Sequence, residues 1–120
     1  MTRALQAYRA DLRELGKRPQ VYVKISEVFR RVNDKVPLEL SFSRTALDEL
    51  WEIFGEDRVL FGCDRPNSDM WAPYENVLTL VREYFSAKGP VIANKFFWKN
   101  SVAAYRGVQR SSDQPDPNHI

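Results

Sequence analysis

Histidine and cysteine are nearly missing from this chain, and their scarcity excludes a good deal. Among 120 residues there is one cysteine, Cys63, so no internal disulfide can form and a reducing, cytoplasmic setting is expected. The single histidine, His119, lies next to the end, in a tail with Pro115 and Pro117, where solvation is expected. No Ser-His-Asp triad, Cys-His pair or multi-histidine metal site can be assembled from these residues. No apolar run approaches the roughly 20 residues of a membrane span. The opening Met-Thr-Arg-Ala-Leu-Gln-Ala-Tyr-Arg lacks the apolar core of a signal peptide. Charge of one sign is also scarce: 18 basic against 16 acidic residues give +2, with no concentrated basic stripe, so there is no warrant for a nucleic-acid partner.

What remains is an ordinary globular composition, 43% hydrophobic and 28% charged, at a length that suits one domain. Leu5, Tyr8, Leu12 and Leu15 recur at helical spacing and predict a helix over 3–15, with Gly16 in the C-cap place. Its arginines, with Lys17 and Arg18, read as a solvated face and as partners of the helix dipole. Val21–Ile25 is rich in β-branched and aromatic residues and predicts a strand. Lys24 is the odd residue in it. Either its ammonium snorkels from the sheet end, or it enters a site above the strand.

Residues 26–43 show no sustained period and predict a long loop broken by Pro37, on the side where a strand ends. Over 45–54, Leu47, Leu50, Trp51 and Phe54 fall at i, i+3, i+4 and i+7, predicting a helix with Thr45 and Asp48 as a capping box and Gly55 as C-cap. A second strand over 58–62 follows at once. Strand, helix, strand makes a βαβ unit, whose strands should be parallel. A polar turn at 67–69 leads to a helix over 74–87 with Val77, Leu80, Val81, Tyr84 and Phe85 inward. Two last helical segments are expected at 91–99 and 101–108, with Asn100 and Ser101 as N-caps between them. From Ser111 the chain is polar and proline-rich, so 1–110 is read as the folded part and 111–120 as a disordered tail.

The stretch that organises the rest is Arg58–Pro66. Val59, Leu60 and Phe61 form an apolar run that suits a buried parallel strand. Asp64 comes just past its end, and Pro66 cannot donate to the ladder. A carboxylate is thereby presented at the carboxyl tip of a parallel strand, the edge where α/β sheets and barrels bind ligands. The alternative is that Asp64 caps a turn. Gly62 should share a face with Asp64, allowing close approach there. Two strands have too few neighbours for a stable parallel sheet. The chain therefore reads as a piece of a larger sheet or as a self-associating unit.

Asp57-Arg58-Val59-Leu60-Phe61-Gly62-Cys63-Asp64-Arg65-Pro66 resembles the last barrel strand of amidohydrolase-related, metal-dependent TIM-barrel hydrolases, a group that includes sugar and pyrone lactonases. Those proteins typically read Asp-Arg-(Val/Leu)-(Leu/Met)-Phe-Gly-Ser-Asp-Trp-Pro there. Pro-Gln-Val-Tyr-Val-Lys-Ile-Ser is similar to the group's seventh strand, and Phe-Trp-Lys-Asn-Ser-Val-Ala-Ala-Tyr-Arg to its terminal helices, with Asn100 as the helix-breaking asparagine. The likeness covers about 5–108.

The resemblance implies an α/β fold, a partial (β/α)8 barrel supplying strands seven and eight. It implies a parent hydrolase acting on a lactone, amide or related carbonyl compound, with Asp64 as a ligand of a divalent metal (Zn or Mn) or as general base on the attacking water. No metal is expected in this chain alone, because the family's histidine ligands have no counterpart here. Cys63 stands for the usual serine and Arg65 for the usual tryptophan. Arg65 would set a cation beside Asp64 and narrow the pocket, and Lys24 and Arg65 are candidates for substrate binding. Cys63 can be suspected as a nucleophile, or read as a small buried thiol. The expected partners are a small-molecule substrate and either a second copy or the rest of a barrel. Alone the chain is expected to be inactive; the alternative is a non-catalytic, oligomerising or interaction module.

Overall fold

In a computed structural model, which describes residues 2–26, 28–106, 109–114 and 116, the chain runs helix, strand, helix, strand, then helices. The elements are α1 (Arg3–Gly16), β1 (Val23–Ile25), α2 (Leu40–Phe54), β2 (Val59–Phe61), a 3-10 turn (Asn67–Met70), α3 (Tyr74–Ser86), α4 (Pro90–Asn94), a π-helical turn (Lys95–Lys99) and α5 (Asn100–Tyr105). β1 and β2 pair in parallel, with Val23 opposite Val59, Lys24 opposite Leu60 and Ile25 opposite Phe61. The βαβ unit is therefore present. Both strands are shorter than the expected 21–25 and 58–62, because only three residues of each pair across the sheet. Val21 instead donates its N–H to Arg18 O in the preceding turn.

The core lies between the sheet and the helices that follow it. Val77, Leu80, Val81, Tyr84 and Phe85 are all buried, as the 3.6-residue period of α3 predicts. Phe85 stacks on Phe96 at 3.5 Å between centroids, and Phe61 meets both Phe96 and Phe97. Tyr84 donates its hydroxyl hydrogen to Asp48 on α2. Burial, above all, and then this bond push the Tyr84 pKa above its ordinary value of 10.0.

Three expectations are corrected. Residues 26–43 are not all loop, since α2 begins at Leu40. Leu40 and Ser43 are buried on the same helix face as Leu47 and Phe54, and the Ser43 hydroxyl donates to Val28 O at 3.3 Å. A buried serine on the inward stripe hides the period. Thr45 and Asp48 consequently lie inside the helix, and no capping box forms; Asp48 is the acceptor for Tyr84. Nor does Asn100 break a helix or cap one. Residues 90–105 are continuously helical through a π turn, and buried Asn100 turns its amide inward, donating to Glu56 O at 2.7 Å and Val59 O at 2.8 Å. Residues 107–108 of the last expected helix, and Pro115 and 117–120 of the expected tail, His119 among them, lie outside the described residues.

α1 is amphipathic but has no buried residue: Leu5, Tyr8 and Leu15 stay exposed and only Leu12 packs on the core edge. It is fastened by Arg9 Nε to Glu49 at 3.0 Å, by Arg13 to the same carboxylate at 3.6 Å, and by the close approach of Gly16 to Ile53. An added Cβ on Gly16 would sit 2.3 Å from Ile53 Cγ2, so only glycine lets the two helices meet there.

Candidate active site at the carboxyl ends of the strands

The two ends of the sheet are built differently. At the amino end, Arg58 immediately precedes β2. Its guanidinium donates to Gly16 O at 2.7 Å, Arg18 O at 2.8 Å, Val21 O at 3.2 Å and Phe54 O at 3.2 Å. Gly16 and Phe54 close α1 and α2, so one cation satisfies the exposed carbonyls of two helix ends and of the turn between α1 and β1. Asn100 and Lys95 complete this end, Lys95 pairing with Glu56 at 3.0 Å and Asp57 at 2.8 Å.

At the carboxyl end the chain leaves β2 through Gly62 and half-buried Cys63 to Asp64, which is exposed. Asp64 adopts φ 52°, the left-handed region that aspartate tolerates better than most side chains. A cis Arg65–Pro66 peptide follows, and Asp64 O accepts the Ser68 N–H at 3.0 Å, tying the turn together. Arg65 does not turn to Asp64. Its guanidinium bonds Asp69 at 3.4 Å and lies over the Tyr74 ring, 5.6 Å from the centroid. Asp69 is thus its ion-pair partner, and Asp64 is left open to solvent.

Lys24 is a cation whose charge Asp64 favours. The parallel register sets it on the same face as Leu60 and Gly62, and its stem leans along the strand over the glycine. An added Cβ on Gly62 would meet Lys24 Cδ at 2.5 Å and Cγ at 2.8 Å. The ammonium lies 5.5 Å from the Tyr105 ring centroid. The Tyr105 hydroxyl, chiefly, and the more weakly acting Asp64 carboxylate push the Lys24 pKa above the ordinary lysine value. Tyr105 has no local signal in the sequence: it arrives from the end of α5, and only the packing of the terminal helix brings it to β1. Arg58 was equally unannounced, reading only as a charge before an apolar run.

Beside this end, a cavity of about 630 Å³ opens between α1, α2 and the end of β1. Leu5, Tyr8, Val28, Phe42 and Leu47 line it, with Lys24 on its wall. Among the described residues no group of three or more His, Cys, Asp or Glu side chains could hold a metal ion. Asp64 with its neighbours therefore offers too few ligands to hold a metal by these residues alone. Cys63 is a free thiol. No described helix is long and apolar enough to cross a membrane.

Comparison with known proteins agrees with this architecture. The amidohydrolase family model matches residues 2–107. An L-fucono-1,5-lactonase of Burkholderia multivorans (strain ATCC 17616 / 249) is 28% identical over 113 residues, covering 92% of this chain and 38% of that protein. A crystal structure of an amidohydrolase from Burkholderia multivorans with bound HEPES superposes with a TM-score of 0.72 at 27% identity, covering 86% of this chain and 37% of that one. The chain thus spans well under half the length of these relatives, and it belongs to the amidohydrolase family.

Proposed function

We propose that these residues form the seventh and eighth strand–helix units of a (β/α)8 amidohydrolase barrel and that Asp64 acts in the hydrolysis of a lactone, with a sugar lactone of the kind named for the Burkholderia relative as the first candidate. The observation that carries this reading is the placement of Asp64, exposed and in a left-handed conformation three residues past a parallel strand, at the end where barrel enzymes do their chemistry. A carboxylate there takes a proton from water while the water oxygen adds to the lactone carbonyl; the ring C–O bond breaks, and the alkoxide leaves with a proton as a hydroxy acid. Lys24 and, at the mouth, Arg65 are the proposed substrate contacts. Family members are typically metal-dependent, but Asp64 offers only one ligand, and any zinc or manganese site would need residues from the rest of a barrel. The lone thiol fits a reducing, cytoplasmic setting.

Two assays test the proposal. The 120-residue chain alone should show no lactone turnover above background with Zn²⁺ or Mn²⁺ present. Grafting residues 2–107 in place of the matching part of the Burkholderia lactonase should give a folded chimera that hydrolyses lactone. Turnover that copurifies with the isolated chain and disappears in Asp64→Ala would contradict the first expectation, and a folded chimera without turnover would contradict the proposal.

A second reading, a non-catalytic module that self-associates, is favoured by the open β1 edge. In the parallel register Val23 and Ile25 direct their backbone groups to β2, leaving those of Lys24 on the outer side. Exposed Leu5, Tyr8 and Phe42 lie near that edge. Light scattering that shows a dimer together with an inactive chimera would support it.

A further inference from the structure

Gly62 and Tyr105 hold Lys24 from two sides. The lysine stem crosses the sheet from β1 to lie against Gly62, where even a methyl group would meet Cγ and Cδ inside contact distance. Cγ is near the root of the side chain, so relief requires a new χ1 rotamer rather than a shift of the tip. Gly62 does not have a positive φ, so nothing in its backbone calls for glycine there. What calls for glycine is the lysine. From the other side, the Tyr105 ring receives the ammonium at 5.5 Å from its centroid.

We propose that Gly62 and Tyr105 are positioning residues for Lys24, fixing its ammonium at the carboxyl end of the sheet beside Asp64, where it meets a carbonyl oxygen gaining negative charge or a carboxylate. The use of the ammonium on a ligand rests on the reading of Asp64 as an active-site group; the placement of Lys24 does not. A long, otherwise solvated side chain would lose that placement without both supports, because a free lysine samples many rotamers. The same residues explain why an exposed, apolar-stemmed lysine does not simply extend into water along β1.

The test uses the 120-residue chain in solution by NMR. Stacking over the Tyr105 ring should move the Lys24 ε-methylene protons upfield, and NOEs should link its γ- and δ-protons to the Gly62 α-protons. Tyr105→Phe keeps the ring and should keep most of the upfield displacement. Tyr105→Leu and Gly62→Ala should each abolish it, with amide shifts around Val81 reporting that the core is intact. Tyr105 is 66% exposed, so its variants leave the core untouched and decide the matter even where Gly62→Ala fails to fold. Lys24 ε-protons at their unstructured position in the unsubstituted chain, or an unchanged displacement in folded Tyr105→Leu or Gly62→Ala, would overturn the proposal. Activity of the barrel chimera is a separate reading: intact NMR signatures with no turnover would refute the enzymatic role and leave the positioning standing, and the reverse result would do the opposite.

Discussion

The two ends of the β1–β2 sheet use the same kinds of residue for opposite ends. Arg58 and Arg65 are both arginines flanking β2. Arg58, before the strand, is half-buried and donates to four backbone carbonyls. Arg65, after it, is largely exposed and holds one exposed carboxylate at 3.4 Å. Asn100 at the amino end satisfies two carbonyls from a buried position, whereas Asp64 at the carboxyl end stands exposed in a left-handed conformation. One end uses its polar groups on the chain itself; at the other, Arg65 is taken by Asp69 and the Asp64 carboxylate is left exposed. Under the proposed function the saturated end stabilises and the open end acts, the division of labour expected of a barrel protein.

Breaking the amino end should have the largest effect on stability. Arg58→Met keeps an unbranched apolar stem but strips the donors from carbonyls at two helix ends; with hydrogen bonds from charged groups contributing about 1.5–3 kcal/mol each and not adding fully, a loss of about 3 kcal/mol or more is expected in denaturant unfolding. Asn100→Ala leaves the buried Val59 carbonyl without this donor and should cost about 2 kcal/mol by the same measurement.

Tyr84→Phe removes a single bond to Asp48 and should cost about 1 kcal/mol at neutral pH. Its sharper signature is alkaline. Burial raises the folded-state pKa of Tyr84 above the ordinary 10.0, so the stability tied to its neutral form is fully present below about pH 10 and falls as pH rises beyond that value. Thermal unfolding across that range should steepen in its loss for the unsubstituted chain and flatten for Tyr84→Phe. At the carboxyl end, by contrast, Asp64→Asn and Arg65→Ala should each shift stability by no more than about 0.5 kcal/mol, as exposed positions do. A large destabilisation from either would erase the distinction between the two ends.

The parts of this fold written as periodicity were readable from the chain. The five inward residues of α3, the parallel pairing of the two apolar runs and Gly55 after α2 all follow from local pattern. What pattern hid was the polar interior. Ser43 occupies an inward helix position that a search for apolar residues skips, so the first turn of α2 reads as loop. Asn100 looks like a helix stop because its amide usually competes with backbone bonds, yet here it serves the backbone of another element. Arg58 and Tyr105 act on residues distant in sequence, and no spacing rule reaches them. At the candidate site, Asp64 was legible as a strand-end carboxylate, and Gly62 as a point of close approach. That Lys24 fills this space, and that Arg65 prefers Asp69, depends on side-chain packing alone.

The most direct test of the account is the turnover of Asp64→Asn in the barrel chimera that carries residues 2–107. The substitution keeps size, and asparagine is at ease in the left-handed conformation, so circular dichroism and thermal unfolding should be unchanged. General-base catalysis contributes roughly 10²–10⁴-fold, so lactone hydrolysis should fall by at least about 10²-fold. Near-normal turnover in a folded Asp64→Asn chimera would contradict the account and reduce Asp64 to a turn residue.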